Sequence, residues 1–151
     1  CDAFRIKDWD KPGTTTNKMI ILSTSLSSKT ASVSNPVDIE PLFEAVGPEE
    51  SITIALDAVL EDKDVDSIII LFVVVPRFIP VFDAKSIARS IMEKHHLQKP
   101  ILAHLMGFKD TVESYTVQLE GENIPIYSSI EQCVKALGSL WKYKLYQIKN
   151  G

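Results

Sequence analysis

No glycine-rich phosphate loop occurs in this chain. Its six glycines spell neither GxGxxG nor GxxxxGK followed by Ser or Thr, which argues against a nucleotide site of the dinucleotide-binding or P-loop kind. Cysteine is scarce as well. Cys1 and Cys133 are the two in 151 residues, and neither sits in a CxxC pair. Metal ligation through cysteine is thereby unsupported, and two reduced thiols in a cytoplasmic protein are expected. Basic runs are absent, and the net charge is −4. Such a chain has no general attraction for nucleic acid or an anionic membrane. The longest apolar run, Ser67 to Pro80, contains Arg77 and is bounded by proline, so it is too short to span a bilayer. No signal peptide is visible. The first residue is Cys rather than Met, which leads us to expect a fragment of a longer protein.

What is present is ordinary for a soluble globular domain. Apolar residues make up 45% and charged residues 24% of the chain, enough for a single domain with a real core. Residues 1–34 read differently from the rest. Lys11-Pro12-Gly13-Thr14-Thr15-Thr16 and the Ser/Thr-rich stretch Ser23 to Ser34 flank one short strand candidate, Met19-Ile20-Ile21-Leu22. We expect an irregular N-terminal segment over 1–34, a remnant of an upstream part, and a regular domain over 35–151.

From Asn35 onward, helix and strand signals alternate. Pro48 suits a first helical position, and Glu49 and Glu50 suit the first turn. Ile52, Leu56, Val59 and Leu60 recur at helical spacing. Ser67 to Val75 is a continuous, largely β-branched run without alternation, as expected of a central parallel strand covered on both faces. Asp83 is placed to cap a helix with Ala84, Ile87, Ala88 and Ile91 on one face. Pro100 to Leu105 is a second buried strand, ended by Gly107. Asp110 with Glu113 and Ser128 with Glu131 are capping-box candidates, and Gly121 is a C-cap candidate. Ile124 to Tyr127 forms a third short strand before a long helix through Val134, Leu137, Leu140, Trp141 and Leu145. Cys133 falls on the buried side of that helix. The alternation predicts βαβ units with helices on both faces, a flavodoxin-like three-layer sandwich around a mainly parallel sheet.

In such folds ligands bind at the carboxyl ends of strands, near helix N-termini. The loops Pro76 to Pro80 and Met106 to Asp110 are therefore the first places to look. Arg77 could clamp an anion; a solvated loop arginine is the commoner outcome, and Asp83 already uses the neighbouring helix end. Gly107 permits close backbone approach. His95 and His96 fall at a helix end where cations suit the dipole, and His104 lies within a strand. None of the three has a nucleophile, metal pair or acid partner in its neighbourhood of sequence. The acids from Glu61 to Asp66 read as a solvated turn.

Five short strings occur in an informative order. Asn35-Pro36-Val37-Asp38 comes first, then Ala55-Leu56 through Val65-Asp66, then the apolar strand Ile68 to Pro76. Lys99-Pro100-Ile101-Leu102 with Gly107 follows, and Asn123-Ile124-Pro125-Ile126-Tyr127 with Glu131 to Leu140 closes the series. Together, over about Ala31 to Tyr143, they resemble the second flavodoxin-like domain of NDP-forming acyl-CoA synthetases, the relatives of succinyl-CoA synthetase. That resemblance implies a parent enzyme using CoA, ATP or ADP and Mg, with acid, CoA and ATP converted to acyl-CoA, ADP and phosphate through a phosphohistidine. It implies partner domains that bind CoA, carry the catalytic histidine and form an ATP-grasp unit, and no cofactor bound by this domain alone.

Two departures matter. The family's SHTGA-like histidine segment is absent, and Met19 to Thr24 is not the glycine-rich TNGGG-like loop that the family places before its NPVD string. The resemblance thus carries no catalytic residue onto this chain. Asn35, Asp38, Pro76, Arg77 and Gly107 stand as phosphate or phosphohistidine-loop candidates, with turn-bracing the competing role for Asn35 and Asp38. A regulatory or interaction domain of a synthetase-like acyltransferase fusion is the alternative reading.

Overall fold

A computed structural model describes residues 19–23, 36–75, 82–95 and 99–150. Its elements run in the order β1 (Met19–Ser23), β2 (Val37–Asp38), a 3-10 turn (Glu40–Leu42), α1 (Phe43–Val46), α2 (Pro48–Glu61), β3 (Ser67–Val74), α3 (Ala84–His95), β4 (Ile101–Gly107), α4 (Lys109–Glu120), β5 (Ile126–Tyr127) and α5 (Ile130–Asn150). The strands form one sheet in the order β2-β1-β3-β4-β5, and every neighbouring pair is parallel. That is the flavodoxin-like order, whose direction of winding reverses between β1 and β3. The strand expected at Met19–Leu22 forms as β1 and lies inside this sheet.

The lack of alternation in β3 has a direct cause. Ile68, Ile70, Phe72 and Val74 pack into the layer made with α2, α3 and α4, while Ile69 packs into the opposite layer with Leu102, Cys133 and Leu137 of β4 and α5. Both faces of the strand are covered, so apolar residues are favoured at nearly every position. Ile68, Ile69, Ile70 and Phe72 are fully buried, each stabilising the fold by up to about 1.5–3 kcal/mol. Phe72 meets Phe82 with ring centroids 5.6 Å apart, and Phe82 meets Tyr115 edge-on at 5.0 Å. The Tyr115 hydroxyl donates to the Phe82 carbonyl at 3.0 Å and accepts from the Phe82 N–H at 3.2 Å. The chain entering α3 is thus fastened to α4.

Several helix ends follow the sequence signals and others correct them. Pro48 occupies the first turn of α2. Asp83 Oδ1 accepts from Ser86 N at 3.1 Å, as a cap should. At α4, however, Phe108 is the N-cap and makes no side-chain cap bond, so Asp110 lies inside the first turn rather than capping it. The one residue between Gly107 and the helix is Phe108, whose side chain has no acceptor for a first-turn N–H. At α5 the cap shifts by one residue: Ser129 Oγ accepts from Gln132 N at 3.3 Å, while Ser128 donates to the Gln132 side chain at 2.9 Å. Gly121 is the C-cap of α4 but is right-handed, with φ −61°. The left-handed residue is Asn123, with φ 67°, a conformation asparagine tolerates.

Cys133 is completely buried on α5, with its sulfur 3.7 Å from the Ala103 carbonyl. Burial pushes its thiol up from the ordinary value of 9.0 to about 11. A thiol that stays protonated resists alkylation. Site-resolved mass spectrometry at pH 8.5 should find Cys133 unmodified by iodoacetamide in the folded chain and fully modified in urea. The raised value also fixes a sign. Stability contributed by the neutral thiol is complete below pH 9 and declines as pH climbs toward 11.

Candidate functional site

The carboxyl ends of the five parallel strands form one crest, and sheets of this kind bind ligands where the strand order reverses, here between β1 and β3. Of the five candidate residues, Asp38 and Gly107 lie on described elements. Asn35, Pro76 and Arg77 fall outside the described residues, as does His96. Asp38 closes β2 and Gly107 closes β4. β1 and β3 stand between those two strands, so Asp38 and Gly107 are three strand spacings apart, on the order of 14 Å. They share the crest without meeting.

The two ends of the crest differ in chemistry. At β2, Asp38 is buried and its Oδ1 accepts from Glu40 N at 3.1 Å, bracing the turn out of the strand. Ile39 N donates to the Ser23 carbonyl at 3.0 Å, tying this turn to the end of β1. The Glu40 carboxyl is held above its ordinary value by burial first, then by the charges of Asp38 and Glu44. That corner is acidic and does not favour a phosphate.

At β4 the arrangement is the reverse. Gly107 lies so close to β3 that an added Cβ would stand 2.2 Å from the Val74 carbonyl oxygen. The close approach lets α4 begin at Lys109 with one intervening residue. Its N-terminal turn has no side-chain cap, so first-turn N–H groups remain for an acceptor. Lys109 pairs loosely with Glu113 at 3.8 Å, and Asp110 adds one negative charge to the same turn. Exposed apolar side chains, Met106 and Phe108, flank the glycine.

The third corner was not legible in the sequence. His104 is half-buried, and its Nδ1 lies 2.9 Å from the Tyr127 carbonyl across the β4–β5 pair. A carbonyl only accepts, so that nitrogen carries the proton and Nε2 is the acceptor in the neutral ring. The Glu131 carboxyl, in the first turn of α5, is held below its ordinary value by its own backbone N–H first and the Ser129 hydroxyl second. No local sequence signal pairs His104 with a carbonyl 23 residues away; only the register does so. Among the described residues, no three His, Cys, Asp or Glu side chains converge to hold a metal ion, and no helix is long and apolar enough to cross a membrane.

No protein-family profile matches the chain. A search of curated proteins finds "Acetate--CoA ligase [ADP-forming] II" of Archaeoglobus fulgidus, 32% identical over 122 residues. The match covers 78% of this chain and 17% of that protein, so the chain spans about a sixth of the relative's length. Among solved structures, PH0766 from Pyrococcus horikoshii OT3 superposes with a TM-score of 0.56 at 23% identity, covering 74% of this chain and 32% of that one; this likeness speaks for the fold. The ordered strings from Asn35 to Leu140, the flavodoxin-like strand order and the sequence match agree, and the chain is a relative of the ADP-forming acyl-CoA synthetases, matching one domain-sized segment of them.

Proposed function

We propose that this chain serves as a domain of an ADP-forming acyl-CoA synthetase, in which its crest helps to hold a phosphohistidine while acid, CoA and ATP become acyl-CoA, ADP and phosphate. The observation that carries the reading is the 32% identity to an ADP-forming acetate–CoA ligase over most of the chain. The uncapped first turn of α4 beside Gly107 supports it. A helix N-terminus presents oriented N–H groups and a positive dipole end, which favour a phosphoryl group without needing a charged side chain.

In this reading Gly107 brings the turn close to β3, and α4 supplies the N–H groups. Asp38 braces the turn out of β2; of the candidates outside the described residues, Asn35 and Pro76 are assigned to the same loops by sequence, and Arg77 is the proposed cationic partner of the anion. The histidine, the CoA site and the ATP-grasp unit belong to other domains of a longer cytoplasmic parent. Any Mg accompanies the nucleotide there. The acid corner at Asp38, Glu40 and Glu44 favours a second reading, a synthetase-like module that regulates or docks without touching phosphate.

Acyl-CoA formation separates the two. The chain alone should show no turnover of acetate, CoA and ATP. It should restore turnover to the Archaeoglobus ligase deleted for the matching segment. Confirmed association of the two pieces without any turnover would move the assignment to the regulatory reading.

A further inference from the structure

The second half of α5 has more apolar surface than this domain uses. Cys133 and Leu137 pack against the sheet, and Gly138 is the last buried residue of the helix. Twelve residues, Ser139 to Asn150, follow it in the helix, a length of about 18 Å. Leu140, Trp141, Leu145 and Ile148 continue the stripe of Cys133 and Leu137 at helical spacing. Leu140 is 50%, Leu145 37% and Ile148 70% exposed. Beside the stripe, where the amino ends of β3, β4 and β5 meet α3 and α5, lies a cavity of about 420 Å³ lined by Ile91, Met92, Ile101, Pro125, Leu140 and Trp141. It is at the opposite edge of the sheet from the crest.

Charge identifies what would cover this surface. From Gln132 to Asn150 the chain has four lysines, Lys135, Lys142, Lys144 and Lys149, and no Asp or Glu, although the protein as a whole is acidic. Lys144 lies within the apolar stripe, with Nζ 5.4 Å from the centre of the Trp141 ring, and it lines the cavity together with Lys99 and one acid, Asp66, so cations outnumber carboxylates there. Covering that stripe with an uncharged surface would take water from the cavity's lysines while they outnumber its one carboxylate, which is unfavourable. A carboxylate opposite Lys144 removes the penalty. An antiparallel pair of α5 helices from two copies would set these lysines against one another. An anionic lipid surface would meet the charges but has no side chain to place in the cavity.

We propose that the distal half of α5 and the adjoining cavity are a docking surface for an acidic amphipathic helix of another polypeptide, with an apolar side chain seated in the cavity and a carboxylate on Lys144. This inference stands on the helix and its charges and does not depend on the synthetase reading.

The test uses the full chain with Trp9→Phe, so that Trp141 reports alone. Two synthetic helical peptides share one leucine stripe; one carries glutamate and the other lysine at the remaining positions. At moderate salt the glutamate peptide should bind and shift Trp141 emission to the blue, with the lysine peptide weaker by roughly tenfold or more. Lys144→Glu should invert that preference, and Leu145→Glu with Ile148→Glu should abolish binding, each with an unchanged circular dichroism spectrum. Equal binding of both peptides, binding of neither, or a preference that Lys144→Glu leaves unaltered would overturn the proposal. Tighter uptake by phosphatidylserine vesicles than by the glutamate peptide, or a dimer in sedimentation that Leu145→Glu dissolves, would do so too.

Discussion

Gly107→Ala should lower the melting temperature of the chain by several degrees, up to roughly 10 °C. The added Cβ would stand 2.2 Å from the Val74 carbonyl oxygen and 3.0 Å from both the Val74 carbonyl carbon and a Val74 methyl. Two of those contacts are backbone, so no rotamer change can relieve them. β4 must move away from β3, the most deeply buried strand, or lose its last paired residue. Overpacking of this kind costs about 1–3 kcal/mol and sometimes more, and at this chain length each kcal/mol is worth roughly 2–4 °C. Gly47 supplies the contrast. An added Cβ there meets nothing within 4 Å, but φ is +84°. Gly47→Ala should therefore be torsional in origin, about 1–3 kcal/mol. In the synthetase reading, Gly107→Ala should also displace the start of α4 and reduce complementation beyond what lost stability explains. A melting temperature within a degree or two of the parent chain would show that β3 and β4 are not so closely apposed.

The largest single loss is expected at Phe72. Its ring is fully buried and abuts Phe82, which in turn meets Tyr115. Phe72→Ala should cost about 3–5 kcal/mol, a large share of the 5–15 kcal/mol typical of a domain. The urea midpoint should fall accordingly with little change in slope. A loss below about 1 kcal/mol would place Phe72 outside the core and contradict the two-layer packing described above.

These two positions also illustrate what sequence can and cannot reveal. Phe72 sits in an apolar run with no alternation, and a strand covered on both faces is the natural cause, so the core strand could be read directly. Gly107 could be read as the end of a strand, but its contact with Val74 depends on register, which composition does not encode. The caps at α4 and α5 were displaced for related reasons. Asp110 and Ser128 have suitable side chains, yet the cap falls where the preceding strand releases the chain, at Phe108 and at Ser129. The His104–Tyr127 contact is likewise a product of β4–β5 pairing. Among the candidate site residues, the string around Asp38 and the glycine that ends β4 pointed to two positions on the crest. The sheet order, legible only from the structure, separates them by β1 and β3.

The central claim is that this crest helps to hold a phosphohistidine belonging to another domain. Its most direct test is the stability of that phosphoryl group. The Archaeoglobus ligase deleted for the matching segment would be labelled with γ-³²P-ATP, and acid-labile, base-stable protein phosphate followed over time with and without this chain. The account predicts that labelled phosphohistidine accumulates and persists only when the chain is present, and that Gly107→Ala, at a temperature where it remains folded, shortens its lifetime. Equal label with and without the chain, once association of the two pieces is established, would contradict it.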